Sequence, residues 1–160
     1  MSVLTKYLVC FVVSMVPLVE LRLAVPMAIG MDLPAIPSII VCALGNMLPV
    51  PFIYLFARKV LIWGADKKYI GKFFTFCLEK GEKAGQKLTK AAGRKGLFLA
   101  MLLFVGIPLP GTGAWTGALG ASVLNMGFKS TVLSVCLGVI LAGGIMGLIS
   151  IGAFSIIGIT

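Results

Sequence analysis

Gly106-Ile107-Pro108-Leu109-Pro110-Gly111-Thr112-Gly113-Ala114-Trp115-Thr116-Gly117 lies inside residues 96–128, a run of 33 residues without a single Asp, Glu, Lys or Arg. A continuous helix cannot pass through it. Pro108 and Pro110 each remove a backbone donor and clash with the preceding turn, and Gly111 and Gly113 weaken whatever helix remains. The surrounding run is nevertheless apolar enough for membrane, and ~20 residues suffice for one straight crossing. The spacing therefore predicts a re-entrant hairpin that enters, turns near the midplane at Pro108, Pro110 and Gly111, and leaves on the same side. Irregular backbone survives at that depth only when buried in protein or lining a watery cavity.

The rest of the chain fits a membrane setting. Residues 33–57 and 130–160 form two more charge-free runs, of 25 and 31 residues. Across 160 residues, 59% are hydrophobic and 12% charged, with a mean hydropathy of +1.10; soluble domains carry about 25% charged residues. This composition excludes a soluble enzyme, a secreted disulfide scaffold and a disordered chain. A β-barrel would show alternating segments of ~10 residues rather than unbroken apolar runs. One membrane domain over residues 1–160 is expected. The start, MSVLTKYLVCFVVSMVP, has the make-up of a signal peptide without its small-residue cleavage site and reads as part of the mature protein.

A basic connector, 58–95, divides the chain. It holds eleven of the fourteen Lys and Arg against three acids, a net +8, which rules the cytoplasmic side by the positive-inside rule. Ile70, Phe73, Phe74, Cys77, Gly81, Ala84, Leu88 and Ala91 recur at steps of three and four, with lysines between them, and Asp66 stands where an N-cap would. The pattern predicts an amphipathic helix lying on the anionic inner leaflet through Lys67–Lys95. Nucleic acid is not the expected partner of this charge.

The flanking parts, 1–57 and 96–160, read as two repeats. Displacements of 90–91 align Pro17 with Pro108 and Ala28-Ile29-Gly30 with Ala118-Leu119-Gly120; at 93, Leu44-Gly45 falls on Leu137-Gly138. Each part has an interrupted segment (~4–31, ~96–126) and then a cleaner one (~34–57, ~130–157). Two re-entrant segments give inverted repeats, which Lys129 near the cytoplasm favours; two full spans give parallel repeats, which Lys6 favours. Repeats of this kind build secondary transporters.

Within the first interrupted segment stand Glu20 and Arg22. Each costs ~2.5–3.5 kcal/mol at the bilayer centre. On a helix they point apart; in an extended turn just after Pro17 they share a face. Glu20 then reads as a titrating carboxylate and Arg22 as its partner or as an anchor for an anionic group; the alternative is a structural ion pair pinning the fold. The second tip carries no charge. Thr112 is placed to cap a half-helix beginning near Gly113, whose N-terminus attracts anions. Thr116 and Trp115 complete an opposing wall, unless the glycines serve only close packing. Asn46 is expected to hydrogen-bond across helices. Cys10, Cys42, Cys77 and Cys136 form no C-x-x-C pair and histidine is absent, so neither a metal site nor a cofactor is expected.

P-L-V-E-L-R-L-A-V-P-M-A-I-G (17–30) and P-L-P-G-T-G-A-W-T-G-A-L-G-A (108–121), separated by a basic connector, resemble the small multi-drug export proteins of bacteria and archaea. That family is similar in architecture to the DedA/VTT superfamily. The resemblance implies two re-entrant hairpins, each followed by a transmembrane helix, and a role in lipid scrambling or proton-dependent transport. The DedA pattern has arginines in its second hairpin; this tip has none, so an anion grip would fall to Arg22 and the backbone near Thr112.

Together these observations lead to an all-α, inverted-repeat protein of the cytoplasmic membrane, homo-oligomeric and not an enzyme. The expected function is proton-coupled transport of a small amphipathic or lipid-like substrate, with an anionic phosphate headgroup as one form. The alternatives are a cationic drug/proton antiporter and a non-transporting assembly protein.

Overall fold

A computed structural model describes residues 2–17, 19–67 and 71–157. Among them the chain forms seven helices and no strand: α1 (Val3–Met15), α2 (Glu20–Gly30), α3 (Ala35–Met47), α4 (Val50–Ala65), α5 (Gly71–Gly106), α6 (Ala114–Val123) and α7 (Phe128–Ile157).

Two stretches, Ala35–Ala65 and Phe128–Ile156, are long and apolar enough to cross a membrane. The first is α3 and α4 joined through Leu48 and Pro49, which both keep right-handed helical angles. Pro49 and Pro51 lack N–H donors, yet Leu48 N–H still reaches Leu44 O at 3.2 Å and Ile53 N–H reaches Pro49 O at 2.9 Å. The helix therefore passes its prolines and runs eight residues further than the charge-free run, through Arg58 and Lys59.

The interrupted segments fold back on themselves. α1 packs along α2, and Lys6, near the start of α1, donates from Nζ to Met31 O at the end of α2. Likewise α6 returns along α5: a Cβ on Gly117 would meet Val105 at 2.6 Å, and one on Gly85 would meet Leu124 O at 2.3 Å.

α2 and α6 end alike. After α2, Asp32 takes a left-handed φ of 60°; its N–H reaches Ile29 O at 3.0 Å, and Leu33 N–H reaches Ala28 O at 3.1 Å. After α6, Asn125 takes φ 56°, with Asn125 N–H to Ser122 O at 3.3 Å and Met126 N–H to Ala121 O at 2.9 Å. Both are Schellman-type stops. The next helices also begin alike: the buried Ser38 hydroxyl bonds Pro34 O at 2.7 Å and the buried Thr131 hydroxyl bonds Gly127 O at 3.1 Å. All these pairs lie 93 residues apart. At that spacing Ala28 falls on Ala121, whereas the shorter displacement puts it on Ala118.

Small residues set the crossings. A Cβ on Gly45 would lie 2.2 Å from Ser14 Oγ and 2.4 Å from Phe11 O, so α3 touches α1 backbone to backbone. Gly138 does the same for α7 on α5, with Val105 Cβ at 2.7 Å and Leu102 O at 2.8 Å. α3–α4 and α7 run antiparallel: Ile39 packs at Gly143 and Gly147, whereas Tyr54 stacks edge-on against Phe128 and donates to Met126 O. The core between them holds Cys10, Leu21, Val25, Cys42, Val105, Val135 and Val139, all essentially excluded from contact with the surroundings.

The connector differs from expectation in two ways. Asp66 ends α4 rather than starting the basic helix. That helix, α5, runs on into the second interrupted segment as two helical stretches that meet at a kink at Gly93 (φ 69°, ψ 179°), angles open essentially to glycine. The expected apolar face is shared out: Phe74 covers Gly64, Gly81 and Gly85 abut Val123 and Leu124, and Phe73 and Phe76 are exposed. Lys68 and Ile70, and the side chains of Cys77 and Leu88, lie outside the described residues.

Candidate functional site

α6 starts abruptly. Gly113 precedes it with φ 143° and ψ −173°, and no side chain from its own segment caps it. The first intrahelical bond is Gly117 N–H to Gly113 O, 2.8 Å, which leaves the N–H groups of the opening turn without helical partners. The two foremost are filled from the other half of the chain. Ala114 N–H donates to Glu20 Oε2 at 3.2 Å, and Trp115 N–H donates to Glu20 Oε1 at 3.1 Å. Glu20 is only 4% exposed. Its carboxylate thus sits on the positive end of the α6 dipole, the place an anion would take.

Gly113 is required there twice over. Its φ is left-handed, and a Cβ would lie 2.0 Å from Glu20 Oε2. Glu20 has a left-handed φ of its own, 48°, an uncommon conformation for a residue with a side chain. It is the first residue of α2, and its N–H bonds Val16 O at 3.0 Å.

Arg22 completes the join at the other side of the break. α5 ends at Gly106, and the loop that follows it, 107–112, has carbonyls that need donors. The Arg22 guanidinium donates to Leu109 O and to Thr112 Oγ1, and reaches Ile107 O at 3.4 Å. Thr112 Oγ1 lies 2.9 Å from the Ile107 and Leu109 carbonyl oxygens. A planar fork serving several oxygens is what a guanidinium does and an ammonium does not. Trp115 adds a third link, its indole Nε1–H donating to Met15 O, the end of α1, at 3.1 Å.

Glu20, Arg22, Thr112, Gly113 and Trp115 are therefore brought together where the two folded-back segments meet. Thr116 bonds Gly113 O at 3.3 Å within its own helix turn. Of the predicted breaks, Pro17 falls between α1 and α2, and Pro108, Pro110 and Gly111 between α5 and α6; Gly111 takes φ 82°.

Three local expectations are corrected. Thr112 does not cap α6, because its hydroxyl is turned back to the α5 end; Glu20 caps instead. Glu20 and Arg22 do not share a face of an extended turn, since they begin a helix, yet both side chains reach the break between α5 and α6. Asn46 is buried, but its Oδ1 has no hydrogen-bond partner among the described residues.

At the far end of α6 from this site, two residues that the sequence did not single out make contacts of their own. Tyr54, donating to Met126 O, and Arg58, donating to Asn125 Oδ1, fasten α4 to the turn after α6. A tyrosine and an arginine four apart at the end of an apolar run were the available signal.

No curated protein and no solved structure matches the chain. The family described as "Putative small multi-drug export protein" matches residues 20–145, from Glu20 through most of α7. The chain belongs to this family of small multi-drug export proteins, whose description is one of transport across a membrane.

Proposed function

We propose that this protein is a proton-coupled secondary transporter of the cytoplasmic membrane, with Glu20 as the group that takes up the proton. The observation that carries the reading is the Glu20 carboxylate on the N–H groups of Ala114 and Trp115. An ionised carboxylate holds two donors and the helix dipole together. A protonated one loses the charge and gives one oxygen over to a hydroxyl, so its grip on α6 weakens. The freed N–H groups, with the Arg22 guanidinium beside them, then suit the phosphate of an amphipathic or lipid-like substrate. Proton and substrate are then bound together at one place, which couples their movement.

On this reading the chain is an inverted repeat of the DedA/VTT type, with α1–α2 and the end of α5 with α6 as re-entrant hairpins and α3–α4 and α7 as the spans. Antiparallel packing of α3–α4 against α7 supports inversion, since two fully spanning segments would leave those helices parallel. The matched Schellman-type stops and the Gly45 and Gly138 crossings support the repeat.

The test is reconstitution in liposomes under a proton gradient, comparing wild type with Glu20→Gln on a polyprenyl phosphate and on a lipophilic cationic dye. The expected result is proton-driven movement of the phosphate, lost in Glu20→Gln. Equal rates and pH dependence in the two proteins would remove Glu20 from coupling. Movement of the dye alone would make the protein a cation/proton antiporter.

A further inference from the structure

At the opposite end of α6 from Glu20, a cavity of about 600 Å³ opens between the basic arm of α5 and the turn leading into α7. It is a second site, separate from the join between the folded-back segments. Its α5 wall carries Thr89, Lys90 and Arg94; its other wall carries Asn125 and Ser130. One acid, Glu82, stands at the same wall as the lysine, leaving the lining net positive.

Several features shape this open recess, whose Lys90, Arg94 and Ser130 are themselves exposed. Gly85 lets α5 approach so closely that a Cβ would lie 2.3 Å from Leu124 O, which fixes one edge. Gly93, between Lys90 and Arg94, bends the helix in a conformation that other residues rarely adopt, so two cations flanking a bend line one space. Asn125, held left-handed at φ 56°, lines the cavity and accepts from Arg58. The α7 helix begins at Phe128 in the opposite wall, between the lining residues Gly127 and Ser130.

We propose that this cavity binds a phosphate-bearing anion, and that the headgroup of an acidic phospholipid from the leaflet beside the basic arm is its occupant. Lys90 and Arg94 supply the charge, Thr89 and Ser130 the neutral donors. An occupant would tie the α5 arm to the start of α7 without touching Glu20 or Arg22.

The full-length protein in an uncharged detergent is titrated with short-chain phosphatidylglycerol, phosphatidylcholine and inorganic phosphate in separate arms, with melting temperature as the readout. Phosphatidylglycerol should saturate and phosphatidylcholine should not. Lys90→Gln with Arg94→Gln should weaken phosphatidylglycerol about tenfold or more, from the loss of two cations near the headgroup. Lys83→Gln with Lys87→Gln removes the same charge from exposed positions of the same helix outside the cavity, and should change binding less than about twofold. Ser130→Leu fills the space without altering charge and should also weaken binding, which serves if the first pair unfolds. Saturation by inorganic phosphate at comparable concentration would keep the phosphate site and make free phosphate its occupant. Equal losses in the two double variants, wild-type binding by Ser130→Leu, or no saturation by either anion would overturn the proposal.

Discussion

Between Met15 and Glu20 the chain turns quickly and then presents a carboxylate and a guanidinium; between Gly106 and Ala114 it turns slowly and presents only backbone and a threonine. The first turn has charges; the second has bare helix ends to receive them. Glu20 goes to the N–H end of α6, Arg22 to carbonyls of the loop that follows α5. At the displacement of 93 that relates the two helix stops, Glu20 itself corresponds to Gly113. One position keeps its side chain and the other has none, and the side chain of the first fills the space left by the second. A charged pair two residues apart in an apolar segment thus need not be a pair at all. Glu20 is met by the N–H end of α6, and Arg22 by loop carbonyls and the Thr112 hydroxyl.

The harshest way to break this complementarity is to exchange the charges. Glu20→Arg with Arg22→Glu preserves net charge and would leave a simple ion pair intact. Here it puts a cation on N–H groups and an anion on carbonyls. A loss of about 4 kcal/mol or more is expected in thermal unfolding, since each charge becomes buried and opposed. Stability near wild type would show that the two side chains serve each other. Next comes Gly113→Ala, where strain at a left-handed φ adds to displacement of the Glu20 carboxylate; about 3 kcal/mol is expected by the same measurement.

Arg22→Lys sharpens the other arm. It keeps the charge and loses the fork, and a drop of about 1–2 kcal/mol is expected; an unchanged melting temperature would mean that the carbonyls need only a point charge. Tyr54→Phe removes the donor to Met126 O and should cost about 1 kcal/mol, loosening the far end of α6 while leaving the Glu20 contacts in place. The smallest effect has the opposite sign. Ser122 Oγ is buried on α6 without a partner among the described residues, so Ser122→Ala should be neutral or stabilising by up to about 1 kcal/mol. A clear loss there would reveal a partner for that hydroxyl.

The sequence carried the breaks at Pro17 and Pro108–Gly113, and it carried the apolar runs, because proline, glycine and absent charge act locally. It also carried the suspicion attached to Glu20 and Arg22, because charge in apolar surroundings needs a reason. It could not say who caps α6. Thr112 is the local choice by spacing, and a contact across 94 residues overrides it. The connector was misjudged at Asp66 for a related reason. An acid after an apolar run and before an amphipathic one fits either helix boundary, and the continuation of α4 through Arg58 and Lys59 settles which. The 93-residue register was visible at Leu44-Gly45 and obscured at Ala28, where apolar, glycine-rich stretches align equally well at several offsets.

The α7 helix runs 30 residues without interruption, about 45 Å of rod, against a hydrocarbon slab of about 30 Å. Upright, a third of it would stand proud; leaning enough to submerge it fully needs a slope beyond the usual range of about 0–40°. Its slope and overhang must therefore answer to lipid chain length. Because α7 crosses α3 at Gly143 and Gly147 and α5 at Gly138, a thinner bilayer would pivot it about those glycines, so that membrane thickness itself bears on how the two halves lie against each other.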